Sequence, residues 1–209
     1  MARYLGSSCK LCRREKTKLF LKAEKCVSNC VLDGGKRKNP PGQHGQKGGK
    51  KPTEYARHLR EKQKARYISG LLENSFKNHF RIAEKMKGVT HENLIRLLEM
   101  RLDNVIVRLG FGQSRKFARQ LVNHGNVFVN DRIIKAPGYV VKPGNKIYLN
   151  KKLLDNIFVK KSLEKSTTNL PQWLSFDRTN YTGQVLRAPT PEEFTYPIDA
   201  SLIVELYSK

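Results

Sequence analysis

The sequence SRKFARQLVNHGNVFVNDR, residues 114–132, joins a basic helix pattern, a glycine stop and a hairpin pattern. Helical spacing places its polar side chains on one face and its apolar side chains on the other. The polar face holds Arg115, Lys116, Arg119, Gln120 and Asn123, opposite Phe117, Ala118 and Leu121. Ser114 is suited to cap the start of this helix, and Gly125 to end it. One face is predicted to pack and the other to bind, with a solvated helix as the alternative.

Four short strands are predicted after this helix. Turn-forming residues separate them at 130–131 and 143–145, although the first turn lacks the glycine that tight hairpins favour. Together they predict a small, mostly antiparallel sheet. The predicted strands are Val127–Val129, Arg132–Ile134, Tyr139–Val141 and Lys146–Leu149.

The rest of the chain is mainly helical in pattern. Apolar spacing predicts two or more helices over residues 54–86 and a helical block over residues 92–109, broken near Asp103. Beyond Leu149 most of the chain is expected to be irregular, with Trp173 in the core rather than stacking on a base. The tail repeats apolar residues at helical spacing from Ile198 and is expected to dock on another element.

These patterns predict an α+β protein, with a metal-binding segment and a basic arm ahead of a mainly helical region and a module of helices with a small sheet.

The charge of the chain points to a polyanionic partner. The sequence has 41 Lys and Arg against 18 Asp and Glu, a net charge of +23. Residues 1–70 hold 19 basic and 5 acidic side chains, whereas residues 166–209 hold 3 and 5. Cationic charge over so much of the chain predicts a long footprint on nucleic acid rather than one charged tail.

Membrane binding is the other interpretation of basic charge. The sequence shows no long apolar span, no N-terminal amphipathic anchor and no lipidation motif, so no membrane partner is expected. The first residues also lack the pattern of a signal or transit peptide. We therefore expect the protein to stay in the compartment where it is made.

Four cysteines lie at metal-binding spacing near the N-terminus. Cys9 and Cys12 form one close pair, and Cys26 and Cys30 form a second. Two such pairs can supply the four thiolates of a closed tetrahedral zinc shell, which leaves no position for water or substrate. The sequence therefore predicts one structural Zn²⁺. Disulfides, free thiols and an iron–sulfur cluster remain alternatives.

Two further basic stretches are candidate phosphate contacts. Residues 33–51 contain six glycines, a proline pair and six basic side chains, which predicts an arm that orders on a phosphate backbone, or else a flexible linker. The helical pattern after Glu54 is crowded with cations. These candidates are Lys36, Arg37, Lys38, Gln43, His44, Lys47, Lys50, Lys51, Arg57, Arg60, Lys62 and Lys64.

The sequence gives little support for catalysis. Residues 45–51 have the wrong spacing for a phosphate-binding loop and lack its hydroxyl residue. The five histidines are dispersed and lack an evident acid–base partner. The triplet Arg101-Leu102-Asp103 resembles the motif of pseudouridine synthases, in which the aspartate is the nucleophile, but it lies inside the helical lead-in to the module. No enzymatic activity is predicted.

Several blocks in order resemble one family, the bacterial small-subunit ribosomal protein four family. They are the cysteine pairs, PGQHG at 41–45, LREKQK at 59–64, RLDNV at 101–105, residues 112–125 and LIVELYSK at 202–209. The resemblance covers essentially the whole chain. It implies a helical domain that is completed by the C-terminal tail and into which the module is inserted. The implied limits are residues 1–52 for the metal-binding segment and basic arm, 53–98 with 197–209 for the helical domain, and 99–196 for the module, whose core is 101–150. The resemblance implies a zinc-binding member with the RNA-binding module named after the family, and RNA contacts at Arg115, Lys116, Arg119, Gln120, His124 and Arg132.

The resemblance also implies a function and partners. It implies a primary binder of small-subunit rRNA that nucleates assembly of the five-prime domain of 16S rRNA and supports translational accuracy with ribosomal protein five. Other small-subunit proteins and mRNA where it enters the subunit are implied partners. The protein is expected in cytoplasmic ribosomes and not as a homo-oligomer. The alternative is a free-standing RNA-binding translational regulator.

Overall fold

The computed structural model describes residues 3–34, 39–45, 51–166, 170–194 and 196–208. The chain forms two compact units, residues 1–94 with 195–209 and residues 95–194. The second unit is therefore inserted in sequence between the two parts of the first. The functional domain limits proposed from the sequence stay a prediction.

Helices occur in both units. Short 3₁₀ turns lie at Gln43–Gly45 and Pro191–Glu193. The helices are α1 (Ser8–Glu15), α2 (Lys25–Ser28), α3 (Glu54–Ser69), α4 (Glu73–Lys85), α5 (Thr90–Glu99), α6 (Leu102–Arg108), α7 (Arg115–Asn123), α8 (Lys151–Leu154), α9 (Ile157–Ser166) and α10 (Ala200–Ser208).

The first unit is built around α3. Thr53 caps this helix by accepting a hydrogen bond from the Ala56 N–H at 3.3 Å, and Gly70 ends it at a φ of 65°. The C-terminal helix α10 packs against α3, with Ile203 buried. The Tyr207 ring stacks on Phe80 at 4.5 Å between centroids. The predicted docking of the tail is confirmed.

The second unit contains a five-stranded antiparallel sheet. Its strand order is β2-β1-β3-β5-β4. The strands are β1 (Val127–Val129), β2 (Arg132–Ile133), β3 (Lys146–Leu149), β4 (Leu174–Asp177) and β5 (Thr182–Val185).

One face of this sheet forms the core of the second unit. Val127, Val129, Ile147 and Leu149 alternate along β1 and β3 toward the buried side. They pack with side chains from α6 and α7, and with Trp173, in one cluster. The predicted core position of Trp173 is confirmed. The opposite face of the sheet carries polar and aromatic side chains.

The predicted hairpin is confirmed, and its turn forms without glycine. Asn130 and Asp131 adopt φ values of 47° and 66°, the left-handed conformation that asparagine and aspartate tolerate best after glycine. Phe128 pairs with Ile133 across the hairpin. The helical patterns over residues 54–86 and 92–109 are also confirmed, as α3 with α4 and α5 with α6.

Two predictions about the sheet were wrong. Tyr139–Val141 is not a strand of the sheet, because its backbone pairs with the segment before α6. The Leu102 N–H donates to the Tyr139 carbonyl, and the Val141 N–H donates to the Met100 carbonyl. This pairing amounts to one isolated bridge between Arg101 and Val140. The segment after Leu149 is not mostly irregular. It supplies α8 and α9 and two strands, because β5 pairs with β3 far back in the chain.

The mixture of helices with a small antiparallel sheet agrees with the predicted α+β class. Within the described residues, no helix combines the length and the apolar character needed to cross a lipid bilayer.

Candidate nucleic-acid interface

An exposed polar stripe runs along α7. Ser114 accepts a hydrogen bond from the Phe117 N–H, and Gly125 follows the helix at a φ of 70°, so both predicted limits of the helix are confirmed. Lys116, Gln120 and His124 recur at helical spacing and are exposed, with Asn123 beside them. We call these four residues the α7 stripe. They form a surface that can meet a polyanion.

Arg115 is held by a buried polar network rather than projecting freely. Its Nε and Nη2 donate to the Asn104 side-chain oxygen at 3.0 and 2.7 Å. The Asn104 amide donates in turn to the backbone oxygen and carboxylate of Glu99. Arg108 also pairs with the Glu99 carboxylate, at 2.6 Å. The network fixes the first turn of α7, where Lys116 is presented.

Arg119 does not lie on the exposed face, so the sequence-based expectation of its exposure was wrong. It is 6% exposed, and its guanidinium lies 3.9 Å from the carboxylate of Asp103. Asp103 itself is 1% exposed and receives two hydrogen bonds from Arg101. A buried carboxylate requires such partners, which explains why the cation at position 119 turns inward.

Arg132 extends the polar surface beyond α7. It is exposed on β2, directly after the Asn130-Asp131 turn. The hairpin of β1 and β2 follows the end of α7 after a short connection that contains Gly125. The six residues predicted to contact RNA in this module are therefore found in two settings. Lys116, Gln120, His124 and Arg132 are exposed, whereas Arg115 is half-buried and Arg119 is buried.

The cations predicted on α3 are mostly engaged in ion pairs. Lys62 is 7% exposed and lies 2.6 Å from the Glu73 carboxylate. Arg60 pairs with Glu15 at 3.1 Å, and Lys64 pairs with Glu61 at 2.6 Å. Arg57 is exposed. Buried or half-buried carboxylates thus hold three of these four cations in ion pairs, and their contact with phosphate stays a prediction.

Electrostatics around Glu73 explain one of these pairs. Burial alone would raise the pKa of the Glu73 carboxyl, but the hydrogen bond and charge of Lys62, the Tyr207 hydroxyl and Arg66 together hold that pKa below its usual range. At Glu15 the balance is the other way. Burial raises the pKa of the Glu15 carboxyl, and the nearby charge of Arg60 lowers it by less.

The basic arm is described only in part. Gln43, His44 and Lys51 are exposed. The remaining predicted contacts of the arm, Lys36, Arg37, Lys38, Lys47 and Lys50, lie outside the described residues.

The four cysteines are all free thiols in the first unit, and Cys12 and Cys26 are buried. The Lys22 N–H donates to the Cys26 Sγ at 3.2 Å. Burial raises the pKa of the Cys12 thiol, a backbone hydrogen bond from Leu19 opposes that rise, and the other three cysteines add to it. Among the described residues, no group of three or more His, Cys, Asp or Glu side chains is arranged around a metal position.

Sequence reasoning missed two residues of this interface. Asn123 was placed on the polar face but left out of the predicted contacts, although it is exposed beside His124. Asn104 was not singled out at all. It connects Glu99 to Arg115, and its role depends on partners on α5 and α7 that no local pattern reveals.

Two family models together match most of the chain. The model described as the ribosomal protein S4/S9 N-terminal domain matches residues 3–99, and the model described as the S4 domain matches residues 100–147.

Curated relatives match over their whole length. Proteins called small ribosomal subunit protein uS4 are 53% identical in Endomicrobium trichonymphae, 49% in Natranaerobius thermophilus and 50% in Geotalea daltonii. Each alignment covers 100% of this chain and 100% of the relative.

Proposed function

This chain belongs to the ribosomal protein S4 family, and from that premise we propose that it is a structural component of the small ribosomal subunit that binds small-subunit rRNA. The observation that carries the proposal is the full-length identity of about half of all residues with relatives of that name. The net charge of +23 supplies the attraction that such a role requires.

The α7 stripe supports this role physically. Lys116 lies in the first turn of a helix, where the N-terminal backbone amides also attract anions. Gln120 and His124 continue the same face with hydrogen-bonding groups. Phosphate contacts of this kind release counterions, so affinity falls steeply with salt. Specificity then comes from the shape of a folded RNA rather than from a base sequence.

The predicted RNA contacts divide into two roles. Lys116, Gln120, His124 and Arg132 are proposed to touch RNA directly, with Gln43, His44, Lys51 and Arg57 as a second surface. Arg115 and Arg119 are proposed to act mainly by fixing α7 through Asn104 and Asp103, and Lys62 by fixing α3 through Glu73.

The family resemblance extends this proposal to assembly and accuracy. Nucleation of the five-prime domain of 16S rRNA, contact with ribosomal protein five and proximity to incoming mRNA are proposed on that ground. The protein is accordingly proposed to act in the ribosome.

The family is one of structural ribosomal proteins, and the chemistry of this chain agrees. Asp103, the only residue that resembled a catalytic nucleophile in the sequence, is buried and engaged by Arg101 on two hydrogen bonds. A carboxylate held in this way is not accessible to a uridine substrate.

Binding of rRNA is tested by an affinity series over salt. Lys116→Ala should weaken binding of the full chain to small-subunit rRNA and reduce the salt slope by about 1, because about one phosphate contact is lost. Lys85→Ala is the matched control, since Lys85 is an exposed cation on α4 outside the predicted interface. Equal affinities and slopes for wild type and both variants would contradict the assignment of α7.

A structural Zn²⁺ is proposed for the four cysteines. Four free thiols in two close pairs supply the donor chemistry that zinc accepts, and the amide of Lys22 already donates to the Cys26 sulfur. The charges of the other three cysteines help to raise the pKa of the Cys12 thiol, so a cation would stabilise the set. When bound, the metal would supply folding energy to α1 and α2 and no chemistry.

Metal analysis tests the zinc proposal independently of RNA. The purified, reduced full chain should contain one zinc per molecule, and Cys12→Ser should lose it and unfold at a lower temperature. Ser28→Ala is the control, because this exposed residue on α2 is not a metal-ligand type. Freshly reduced wild-type protein without bound metal would refute the proposal.

A further inference from the structure

The outer face of the sheet carries an open polar groove that the α7 stripe does not include. The groove has a volume of about 690 Å³, within the range of small-ligand sites. It lies across β3, β5 and β4, and the turn between β1 and β2 borders it. Nothing in the sequence pattern predicted it, because β4 and β5 were not expected to be strands.

Tyr148 forms an aromatic wall of this groove. Its ring is parallel to that of Phe128, at 5.0 Å between centroids and 4° between planes. Its neighbour on the other side is the short side chain of Thr182 on β5. The Tyr148 hydroxyl donates to the Asp131 carboxylate at 2.9 Å, which fixes the ring. One ring face is thus covered by Phe128, while the other faces the groove.

Hydrogen-bonding side chains line the floor beside that ring. Gln184 on β5 pairs with Lys146 on β3 and with Ser175 on β4, and all three line the groove. Within the described parts of the chain, no hydrogen bond or ion pair occupies these three side chains. They are available to a ligand.

The far wall is rigid and polar. Asp177 accepts hydrogen bonds from the Thr179 N–H at 2.9 Å and from the Asn180 side chain at 2.7 Å. These bonds fix the turn between β4 and β5 opposite Tyr148. Thr182 lies between these two walls, and the row of Lys146, Gln184 and Ser175 runs beside it, two residues further along the strands.

We propose that this groove binds an unpaired nucleobase of an RNA strand, stacked on Tyr148 and hydrogen-bonded along its edge by Gln184 and Ser175. The proposal rests on the proposed function and names a second, non-phosphate contact for the same RNA. Single-stranded bases are commonly recognised by an aromatic face combined with polar groups that contact the base edge.

The chemistry of the lining favours a base over other ligands. Asp131 and Asp177 place a carboxylate at each side of the groove, which disfavours a phosphate group in its middle. The floor is polar rather than apolar, which disfavours the apolar anchors of a protein partner. Lys146 is exposed at the groove and is suited to the phosphate that follows the bound base.

The first test uses the full chain and small-subunit rRNA transcribed in vitro. Tyr148→Leu should weaken affinity roughly 5- to 50-fold with an unchanged salt slope, because stacking rather than a phosphate contact is lost. The variant should also lose chemical protection of one or two unpaired bases. Tyr148→Phe is the matched control and should bind within about twofold of wild type, because it keeps the ring.

A second variant tests the groove independently, in case Tyr148→Leu does not fold. Gln184→Ala removes an edge contact at a half-exposed position and should weaken affinity roughly 3- to 10-fold, with the same bases losing protection. Wild-type affinity and full protection for both variants would overturn the inference while leaving rRNA binding intact. A photocrosslink from position 148 to a protein in assembled subunits would overturn it as well.

The second test does not depend on rRNA. Isotope-labelled full chain is titrated with a single-stranded RNA hexanucleotide, and backbone amide shifts are followed by NMR. Shifts on β3 and β5 that Tyr148→Leu abolishes would support the groove even if rRNA binding failed. Shifts confined to α7 would overturn it.

Discussion

Asn104 shows how a single buried side chain can prepare a binding surface. It accepts two hydrogen bonds from Arg115 and donates to Glu99, so it connects α6 to α5 and α7. Because each of its polar atoms has a partner, its burial costs little. The exposed Lys116 next to Arg115 is thereby held on a fixed helical turn.

We predict that Asn104→Ala destabilises the protein by about 1–3 kcal/mol, because the buried Glu99 carboxylate and the Arg115 guanidinium lose partners. Affinity for rRNA should fall as well, since the first turn of α7 is no longer fixed. Urea unfolding and rRNA binding measure the two effects. Asn123→Ala, on the exposed face of α7, should leave unfolding unchanged. Unchanged stability in Asn104→Ala would contradict the role given to the network.

Glu73 gives a prediction that depends on pH. Its pKa is lowered in the folded protein, so its contribution to stability is present above the ordinary pKa of a glutamate, about 4.3, and is lost as pH falls through the lower folded value. Glu73→Gln should therefore lower the melting temperature at pH 7, and the difference should shrink toward pH 3.

Circular dichroism melting over this pH range measures the effect. Glu84→Gln, at an exposed position on the same helix, is the control and should change the melting temperature little. A gap between Glu73→Gln and wild type that stays constant from pH 7 to pH 3 would show that the ion pair with Lys62 is not the cause.

Among the elements, β5 is the strand that connects β4 to the rest of the sheet. It lies between β3 and β4, and Gly183 within it is buried on the core side. A Cβ at this position would lie 3.0 Å from the Cγ of Leu109 and closer still to its methyl groups. Leu109 is itself buried, so it has little room to move.

We predict that Gly183→Ala destabilises the second unit by about 1–3 kcal/mol through overpacking against Leu109. Thr182→Ala, on the outer face of the same strand, should cost less. Chemical denaturation compares the two variants. A Gly183→Ala protein as stable as wild type would mean that Leu109, just after α6, shifts freely to make room, against the packing described for this core.

Local signals made some elements predictable. The limits of α7 follow from Ser114 and Gly125, whose capping roles depend only on neighbouring residues. The hairpin after it follows from a two-residue turn between β-branched runs. Long-range pairing made others unpredictable, because β5 joins β3 after more than thirty intervening residues and contains a glycine at its centre.

The same reasoning explains the partial success at the site. Helical spacing correctly brought Lys116, Gln120 and Asn123 to one exposed face. It failed for Arg119, because a periodic pattern cannot register that a buried carboxylate at position 103 draws the guanidinium inward. The burial of Lys62 was likewise beyond a local pattern, since its partner Glu73 lies on the next helix.

At the scale of the whole molecule, charge and family agree on one kind of partner. The excess of 23 positive charges is concentrated in residues 1–165, and exposed members of it lie on α3, α7 and β2. Carboxylates hold other cations in ion pairs within the protein, so fewer of the candidate cations are exposed than the sequence suggested. Membership of the ribosomal protein S4 family gives this surface its proposed target.

The most direct test of that central claim is sedimentation of a cell lysate at moderate salt, followed by detection of this chain across the gradient. We predict that nearly all of it comigrates with small ribosomal subunits and stays there after a salt wash. A pool found mainly in the slowly sedimenting fractions would contradict the claim and favour a free-standing RNA-binding regulator.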